Sequence, residues 1–345
     1  MSRFCILVGL LLVACTPETQ GDAAGKDGVE ERTEWPPWAR GVPSPVRNPL
    51  TDAGVALGRR LFYDPILSGD DTIACATCHE QARAFSDGQV FSQAGLSGVR
   101  LSRHTPALIN LAFMPAFFWD GGGTDLESVA FGPIGHPDEM GQSLAELVDE
   151  LRADPVYPRL FEAAFTDGLT LPNIVRALAQ FQRTLVSHDA PYDRFMAGDD
   201  GALSTSAKRG MALVAHACGG CHGAPFFTDF GYANNGLDTE YSDDDLRLAW
   251  GRGRITEEQA DIGHYKVPTL RNVTVTAPYM HDGRFPTLRA VLTHYRFDVR
   301  DGPTVDPQLR GGLPLSDEDV EHIIAFLEAL EDETFLSNPR LGPPF

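Results

Sequence analysis

The chain has 345 residues, of which 43% are hydrophobic and 22% are charged, so it has enough apolar material for two cores. Its formal net charge of −20 disfavours nucleic acid as a partner, because phosphate groups require a basic surface. The acidity fits a basic or neutral protein partner, a small neutral substrate, or solubility alone.

The first fourteen residues have the pattern of an export signal. Arg3 supplies a positive charge, and the apolar run over 4–14 is too short to cross a bilayer as a helix. Small residues before Cys15 make this segment similar to the lipobox of bacterial lipoproteins, which implies cleavage before Cys15 and a lipid on its thiol. An ordinary signal peptide that happens to contain a cysteine is the alternative. Since Thr16 is not an Asp, we expect anchoring on the periplasmic side of the outer rather than the inner membrane.

The next segment, residues 15–40, is predicted to be a flexible tether that starts at the lipidated cysteine. Residues 16–34 are polar and acidic and lack large apolar side chains, a composition typical of extended coil. The pair Trp35 and Trp38 is predicted to mark where the chain meets the folded body.

Helical patterns occur in both halves of the chain. The segments 58–62 (GRRLF) and 210–214 (GMALV) form an internal repeat, and each is predicted to end a helix. Ser204 is a candidate cap for the second copy. Apolar residues at helical spacing predict a helix over 173–186, and a capping box that starts at Ser316 predicts a last helix as far as residue 330.

These patterns predict a mostly α-helical fold. Strand-like alternation is scarce, and 34 glycines and 25 prolines indicate long irregular loops between the helices. We therefore expect two helical domains, over 41–200 and 201–345, with the last helix packing back on the first domain.

The cysteines give the strongest functional signal. Cys5 lies in the removed peptide and Cys15 takes the lipid, so four cysteines remain, and they form two C-x-x-C-H motifs. The motifs are Cys75, Cys78 and His79, and Cys218, Cys221 and His222. Two thiols at this spacing attach the haem covalently, and the following histidine ligates the iron.

A zinc site and a thiol redox pair are the alternatives to haem. A tetrahedral zinc site would need both cysteine pairs to converge, and it would leave His79 and His222 without a role. Two copies in an exported chain with no other cysteine favour two c-type haems. The two predicted helical domains are therefore expected to be cytochrome-c-like haem domains.

Seven segments resemble the bacterial di-haem cytochrome c peroxidase and MauG superfamily over about residues 46–335. They are LGRRLFYDPILS (57–68), CATCHEQARAFSDG (75–88), RHTPALIN (103–110), FFWDG (117–121), ALAQFQRTLVSHDAPYDRFMAGD (177–199), CGGCH (218–222) and VPTLRNVTVTAPYMHDG (267–283). The resemblance implies two facing haem domains, with peroxide reacting at the N-terminal haem and oxidising equivalents shared with the C-terminal haem.

Three residues take functional roles from this resemblance. Trp119 matches the tryptophan between the haems that relays electrons, although a core aromatic is the alternative. Glu139 has the spacing of the distal acid and base over the peroxide-binding iron, where a carboxylate moves a proton between the peroxide oxygens. Pro133 matches a residue that lines the distal pocket.

The far ligand of the C-terminal haem separates the two branches of the superfamily. In the peroxidases of this family, a Met lies fourteen residues after the His of the HDG motif. In this chain the His of that motif is His281, and the residue fourteen positions later is Tyr295. MauG-type enzymes also have a Tyr at this position. A thioether raises the reduction potential and suits electron entry, whereas a phenolate lowers it and favours storage of oxidising equivalents. His294 as ligand and an uninvolved surface tyrosine are the alternatives. Met280 lies in a different register.

The sequence departs from the family pattern in two places. The removable His ligand of peroxidases that need reductive activation is missing from residues 89–95, so we predict an open five-coordinate N-terminal haem. Thr276 and Pro278 match the carbonyl positions of a calcium site between the haems. However, His104 replaces the expected Asn, and calcium prefers oxygen ligands.

The sequence is compatible with three functions. The first is a MauG-like enzyme that uses hydrogen peroxide to reach a high-valent two-haem state, which oxidises Trp or Tyr residues of a partner protein. The segments 332–345 (DETFLSNPRLGPPF) and 235–237 (NGL) resemble those of the MbnH-type enzymes of this branch. The second is a peroxidase that reduces hydrogen peroxide with electrons from a cytochrome c. The third is a non-enzymatic di-haem electron carrier, which would have two six-coordinate haems.

Overall fold

The structure is a computed structural model that describes residues 36–93, 95–242 and 247–345. The predicted signal peptide, the lipidation site Cys15, Trp35 and the tether before it lie outside the described residues. No helix in the described ranges combines the length and the apolar character needed to span a bilayer.

The described chain is mostly helical with very little sheet, as the sequence predicts. Its α-helices are α1 (Pro37–Arg40), α2 (Asp52–Tyr63), α3 (Cys75–Cys78), α4 (Leu126–Val129), α5 (Phe131–Gly135), α6 (Leu147–Ala153), α7 (Tyr157–Ala164), α8 (Leu171–Arg183), α9 (Pro191–Met196), α10 (Thr205–Ala217), α11 (Gly253–Thr256), α12 (Leu288–Thr293), α13 (Asp317–Glu328) and α14 (Glu333–Ser337). Strands β1 (Tyr232–Ala233) and β2 (Tyr265–Lys266) pair antiparallel.

Short helical turns occupy many of the connections. The 3₁₀ turns are Pro65–Leu67, Gln81–Arg83, Leu111–Phe113, Leu248–Trp250, Gln259–Asp261, Val273–Val275 and Pro307–Leu309, and a π-helical turn covers His294–Asp298.

Side-chain caps begin the helices that the sequence predicts. Ser204 accepts a hydrogen bond from the Ala207 amide at 3.0 Å, and Ser316 exchanges hydrogen bonds with Asp319, so both predicted caps are confirmed. Helix α8 begins at Leu171, earlier than predicted, because Thr170 supplies the cap and proline is tolerated in a first helical turn.

Two hydrophobic cores lie around two pairs of helices. In the first, α2 packs on α8 and buries Phe62 and Phe181, and Phe335 of α14 joins this core from the far end of the chain. In the second, α10 packs on α13 and buries Val214 and Phe326.

The glycines of the internal repeat explain why each helix pair packs so closely. A Cβ atom on Gly58 would lie 1.9 Å from the Ala177 carbonyl oxygen of α8. A Cβ atom on Gly210 would lie 1.8 Å from the His322 carbonyl oxygen of α13. The glycine in each copy of the repeat therefore marks a crossing where two helix backbones touch.

A second repeat, which the sequence reading missed, relates 105–110 (TPALIN) to 267–272 (VPTLRN). Asn110 and Asn272 both have left-handed backbones, with φ of 57° and 55°, and each leads into a 3₁₀ turn.

The same repeat continues from 117–121 (FFWDG) to 279–283 (YMHDG). Each copy closes an isolated antiparallel bridge, and its second residue is left-handed, with φ of 65° at Phe118 and 77° at Met280. Trp119 and His281 therefore hold equivalent positions in the two halves.

Reciprocal backbone hydrogen bonds join the two copies. The His104 amide donates to the His281 carbonyl at 2.9 Å, and the Lys266 amide donates to the Trp119 carbonyl at 2.8 Å. Because His104 and Lys266 both precede the repeated segment by one residue, the junction has approximate two-fold symmetry.

Candidate haem sites and the junction between them

The first candidate site lies at α3, with Cys75 and Cys78 on the helix and His79 at its end. Neither thiol forms a disulfide. The Nδ1 atom of His79 lies 2.6 Å from the Phe85 carbonyl oxygen, so Nδ1–H donates there and Nε2 is left for the iron. Phe85 presents this carbonyl from a left-handed backbone with φ of 60°.

The second candidate site repeats this arrangement. Cys218 ends α10, Cys221 follows, and neither thiol forms a disulfide. The Nδ1 atom of His222 lies 3.1 Å from the Phe227 carbonyl oxygen, and Phe227 is also left-handed, with φ of 52°. Both histidines are therefore oriented by a neutral carbonyl.

The residues present fit a haem at each site. Burial lowers the pKa of His79 and His222, which favours the neutral imidazole that ligates iron. Burial also raises the pKa of Cys75 to about 12 and that of Cys218 to about 11. These four residues nevertheless keep some accessible surface, so they are not completely packed against other protein atoms.

Glu139 lies near the first site. Burial raises the pKa of its carboxyl, and its negative charge raises the pKa of both Cys75 and Cys78, so the three groups share one environment. Pro133 lies in α5, directly before the loop that carries Glu139, and its carbonyl accepts a hydrogen bond from the Met140 amide at 3.1 Å.

Trp119 lies at the junction of the two halves. Its indole Nε1–H donates to the His104 carbonyl at 2.8 Å, and its own carbonyl accepts from Lys266. Next to it, the rings of Tyr265 and His281 stack with centroids 3.6 Å apart and planes 10° apart. The sequence reading missed this stacked pair, although the FFWDG and YMHDG repeat was available as a signal.

Tyr295 lies near the second site. Burial raises its pKa to about 12, a hydrogen bond with Asn235 opposes this shift, and the Cys218 and Cys221 thiols raise the pKa further. The phenol therefore lies near the second pair of thiols. His294 instead directs its Nε2 atom to the Asn235 carbonyl oxygen, at 2.9 Å.

Asn235 is a site residue whose role the sequence reading missed. Besides its contact with Tyr295, its Nδ2 atom lies 3.3 Å from Sδ of Met280. The thioether and the phenol therefore share one amide side chain. Only the resemblance of the NGL segment had drawn attention to this position.

His104 is buried and already bonded. Its Nδ1 atom lies 2.7 Å from the Gln89 carbonyl oxygen. Thr276 and Pro278 lie in the loop before His281, and the described residues form no cluster of three or more His, Cys, Asp or Glu side chains for a metal. The calcium site at these carbonyls stays a prediction.

The fold and the paired attachment sites define a c-type di-haem protein, and comparisons with known proteins specify its family. A family model described as di-haem cytochrome c peroxidase matches residues 52–201. The methylamine utilization protein MauG of Methylorubrum extorquens is 40% identical over 85% of this chain and 82% of its own. The cytochrome c551 peroxidase of Pseudomonas aeruginosa is 31% identical over 99% of this chain and 95% of its own.

A solved structure of a MauG-like protein associated with microbial copper homeostasis superposes with a TM-score of 0.80. It is 31% identical, and the match covers 87% of this chain and 95% of that one. The chain belongs to the di-haem cytochrome c peroxidase and MauG family, and it is an oxidoreductase with two c-type haems. Because relatives carry both the MauG name and the cytochrome c peroxidase name, the choice between these activities depends on the site residues.

Proposed function

We propose that this chain is a MauG-type enzyme that uses hydrogen peroxide to oxidise Trp or Tyr residues of a partner protein. The observation that carries the proposal is Tyr295, which lies near enough to the Cys218 and Cys221 thiols for them to raise the pKa of its phenol. The bound haems supply the iron that reacts with peroxide and that holds the oxidising equivalents.

Tyr295 determines which of the two family activities the second haem supports. A buried phenol with a pKa of about 12 stays protonated unless a nearby positive charge offsets the cost of the phenolate. Iron supplies such a charge, and phenolate ligation lowers the reduction potential of the haem. A haem with a low potential accepts electrons poorly from a cytochrome c and retains oxidising equivalents well.

Glu139 supplies the proton chemistry at the first site. Its carboxylate accepts the proton of one peroxide oxygen and returns it to the other, so that water leaves. Pro133 lines the same pocket in this proposal. Trp119 carries electrons between the two sites, because it lies at the junction of the two halves.

The same proposal includes the boundaries and the location of the protein. The division into two haem domains at residue 200 belongs to this proposal, and the two hydrophobic cores support two domains. Tyr192 of α9 packs in the second core, however, so packing favours a boundary before α9, and Phe335 of α14 returns to the first core. Export to the periplasm, a lipid on Cys15 and an outer-membrane anchor complete the proposal. They rest on the N-terminal sequence pattern alone.

A cytochrome c peroxidase is the second candidate, and Met280 is the observation that favours it. Its Sδ atom lies beside Asn235, the residue that also contacts Tyr295. Coordination of the second haem by this thioether would raise the reduction potential and suit electron entry from a cytochrome c.

Electron paramagnetic resonance of the ferric holoprotein tests the proposal, with Tyr295→Phe and Met280→Leu as matched variants. We expect one high-spin and one low-spin signal, a low-spin signal that changes only in Tyr295→Phe, and loss of both signals after one equivalent of peroxide. A low-spin signal that changes only in Met280→Leu, with rapid turnover of reduced cytochrome c, would establish the peroxidase instead.

A further inference from the structure

Lys266 is an unusual basic residue in this chain. Only three of the 28 basic residues are lysines, at positions 26, 208 and 266, and the other basic residues are arginines. Lys208 lies on the surface, where its Nζ atom donates to the Asp200 carbonyl oxygen at 2.8 Å. Lys266 instead lies at the junction between the two halves, where its amide bonds to Trp119.

The ammonium group of Lys266 has no anionic partner among the described residues. Its Nζ atom lies 3.9 Å from Sδ of Met114, a weak acceptor, and within the described ranges it forms no ion pair. Burial lowers its pKa to about 8, and no described carboxylate offsets this shift.

Lys266 is strongly desolvated but not completely buried. It keeps some accessible surface, although desolvation lowers the pKa of its ammonium group to about 8. Burying an ammonium group without a partner is unfavourable, so a buried lysine is normally paired with a negative group. The structure therefore presents a desolvated cation, without an anionic partner among the described residues, at the junction of the two halves of the repeat.

We infer that Lys266 is a carboxylate-binding residue that holds a haem propionate at the domain junction. Each haem carries two propionates, which are negatively charged side chains of the cofactor. The Lys266 amide bonds to the Trp119 carbonyl, and the reciprocal bond from the His104 amide to the His281 carbonyl joins the two halves of the repeat beside it. This inference needs the two haems but does not depend on the choice between the MauG-type and peroxidase activities.

A consequence for redox chemistry follows from the charge. A cation beside a propionate stabilises the reduced haem, because reduction adds a negative charge. Replacing Lys266 with a neutral residue should lower the reduction potential of the haem whose propionate it holds. The propionate, without its cation, should also take up a proton on reduction, so the potential should become more dependent on pH.

Spectroelectrochemical titration of the holoprotein tests this inference, with both haem potentials measured between about pH 5 and 8. We expect Lys266→Met to lower one potential and to steepen its pH dependence. Lys266→Arg, which keeps the charge, should retain most of the wild-type behaviour. Lys208→Met removes a surface lysine and should leave both potentials unchanged.

Three results would overturn the inference. The first is an unchanged pair of potentials in Lys266→Met. The second is an altered ligand-field spectrum in that variant, which would make the amine an iron ligand. The third is a wild-type potential that responds to added acetate while the potential of Lys266→Met does not, which would assign the site to a free anion. Where Lys266→Met fails to incorporate haem, Lys266→Gln gives the same neutral comparison with a polar side chain.

Discussion

Glu139 shows how a single residue sets the pH dependence expected of the first site. Its pKa is raised by burial, so its carboxylate form is lost at a higher pH than that of an exposed glutamate. In the proposed role only the carboxylate accepts the peroxide proton. The rate of reaction with peroxide should therefore fall as the pH falls through this raised pKa.

Replacing Glu139 with Gln should slow the reaction with hydrogen peroxide by about 10²–10⁴-fold and remove this acid-side pH dependence. Stopped-flow absorbance between about pH 4 and 8 measures both effects. Asp138→Asn is the matched control, because Asp138 is the neighbouring carboxylate and bonds to Ser97 at the surface. An equal loss in the Asp138 variant would show a general charge effect and would contradict the assignment.

At the level of the elements, each core depends on a helix crossing that only glycine permits. The carbonyl oxygens of Ala177 and His322 occupy the space that a side chain at Gly58 or Gly210 would need. These contacts are with backbone, so a neighbouring rotamer change cannot relieve them.

Gly58→Ala and Gly210→Ala should each lower the free energy of unfolding by about 1–3 kcal/mol, because overpacking forces the helices apart. Gly135→Ala is the control, since nothing lies within 4 Å of the point that an added Cβ atom would occupy in α5. Chemical denaturation of the three holoprotein variants measures the difference. Equal stability in all three would show that the helix pairs can separate without cost.

Arg271 joins distant parts of the whole molecule. It is fully buried, its two terminal nitrogens each lie 2.8 Å from a carboxylate oxygen of Asp193 in α9, and its Nε atom donates to the Pro225 carbonyl. Its guanidinium group also lies 4.8 Å from the centroid of the Trp38 ring. The first described helix, the α9 segment and the second half of the chain therefore meet at one cation.

Arg271→Leu should lower the free energy of unfolding by about 3–5 kcal/mol, because it leaves Asp193 buried without its partner. Adding Asp193→Leu should recover part of this loss, so the effects of the two changes should not add. Arg289→Leu, which breaks the exposed pair with Glu321, should cost only about 0–1 kcal/mol. Thermal unfolding of the holoprotein variants measures these differences in stability. Equal losses of stability in Arg271→Leu and Arg289→Leu would contradict the assignment of a structural role to the buried pair.

The residues that bind haem covalently were predictable because their chemistry is local in the chain. Two cysteines and a histidine act within five consecutive residues, so Cys75 and Cys218 identify both sites without any tertiary information. The caps at Ser204 and Ser316 were predictable for the same reason, since each acts within three residues. The role of the Phe85 and Phe227 carbonyls in orienting the histidines was not predictable. It depends on left-handed backbones at these residues, which are rare for phenylalanine.

The two haem sites, the mostly helical class and the family could be predicted from the amino-acid sequence, because all of them rest on short motifs or helical periodicity. The distant groups that lie near each site became apparent only in the folded chain. Tyr295 bonds to Asn235 and lies near Cys218, and Lys266 contacts Trp119 and Met114, although each pair is far apart in the chain. No local pattern encodes such contacts, because they form only when two separately packed cores bring their loops together.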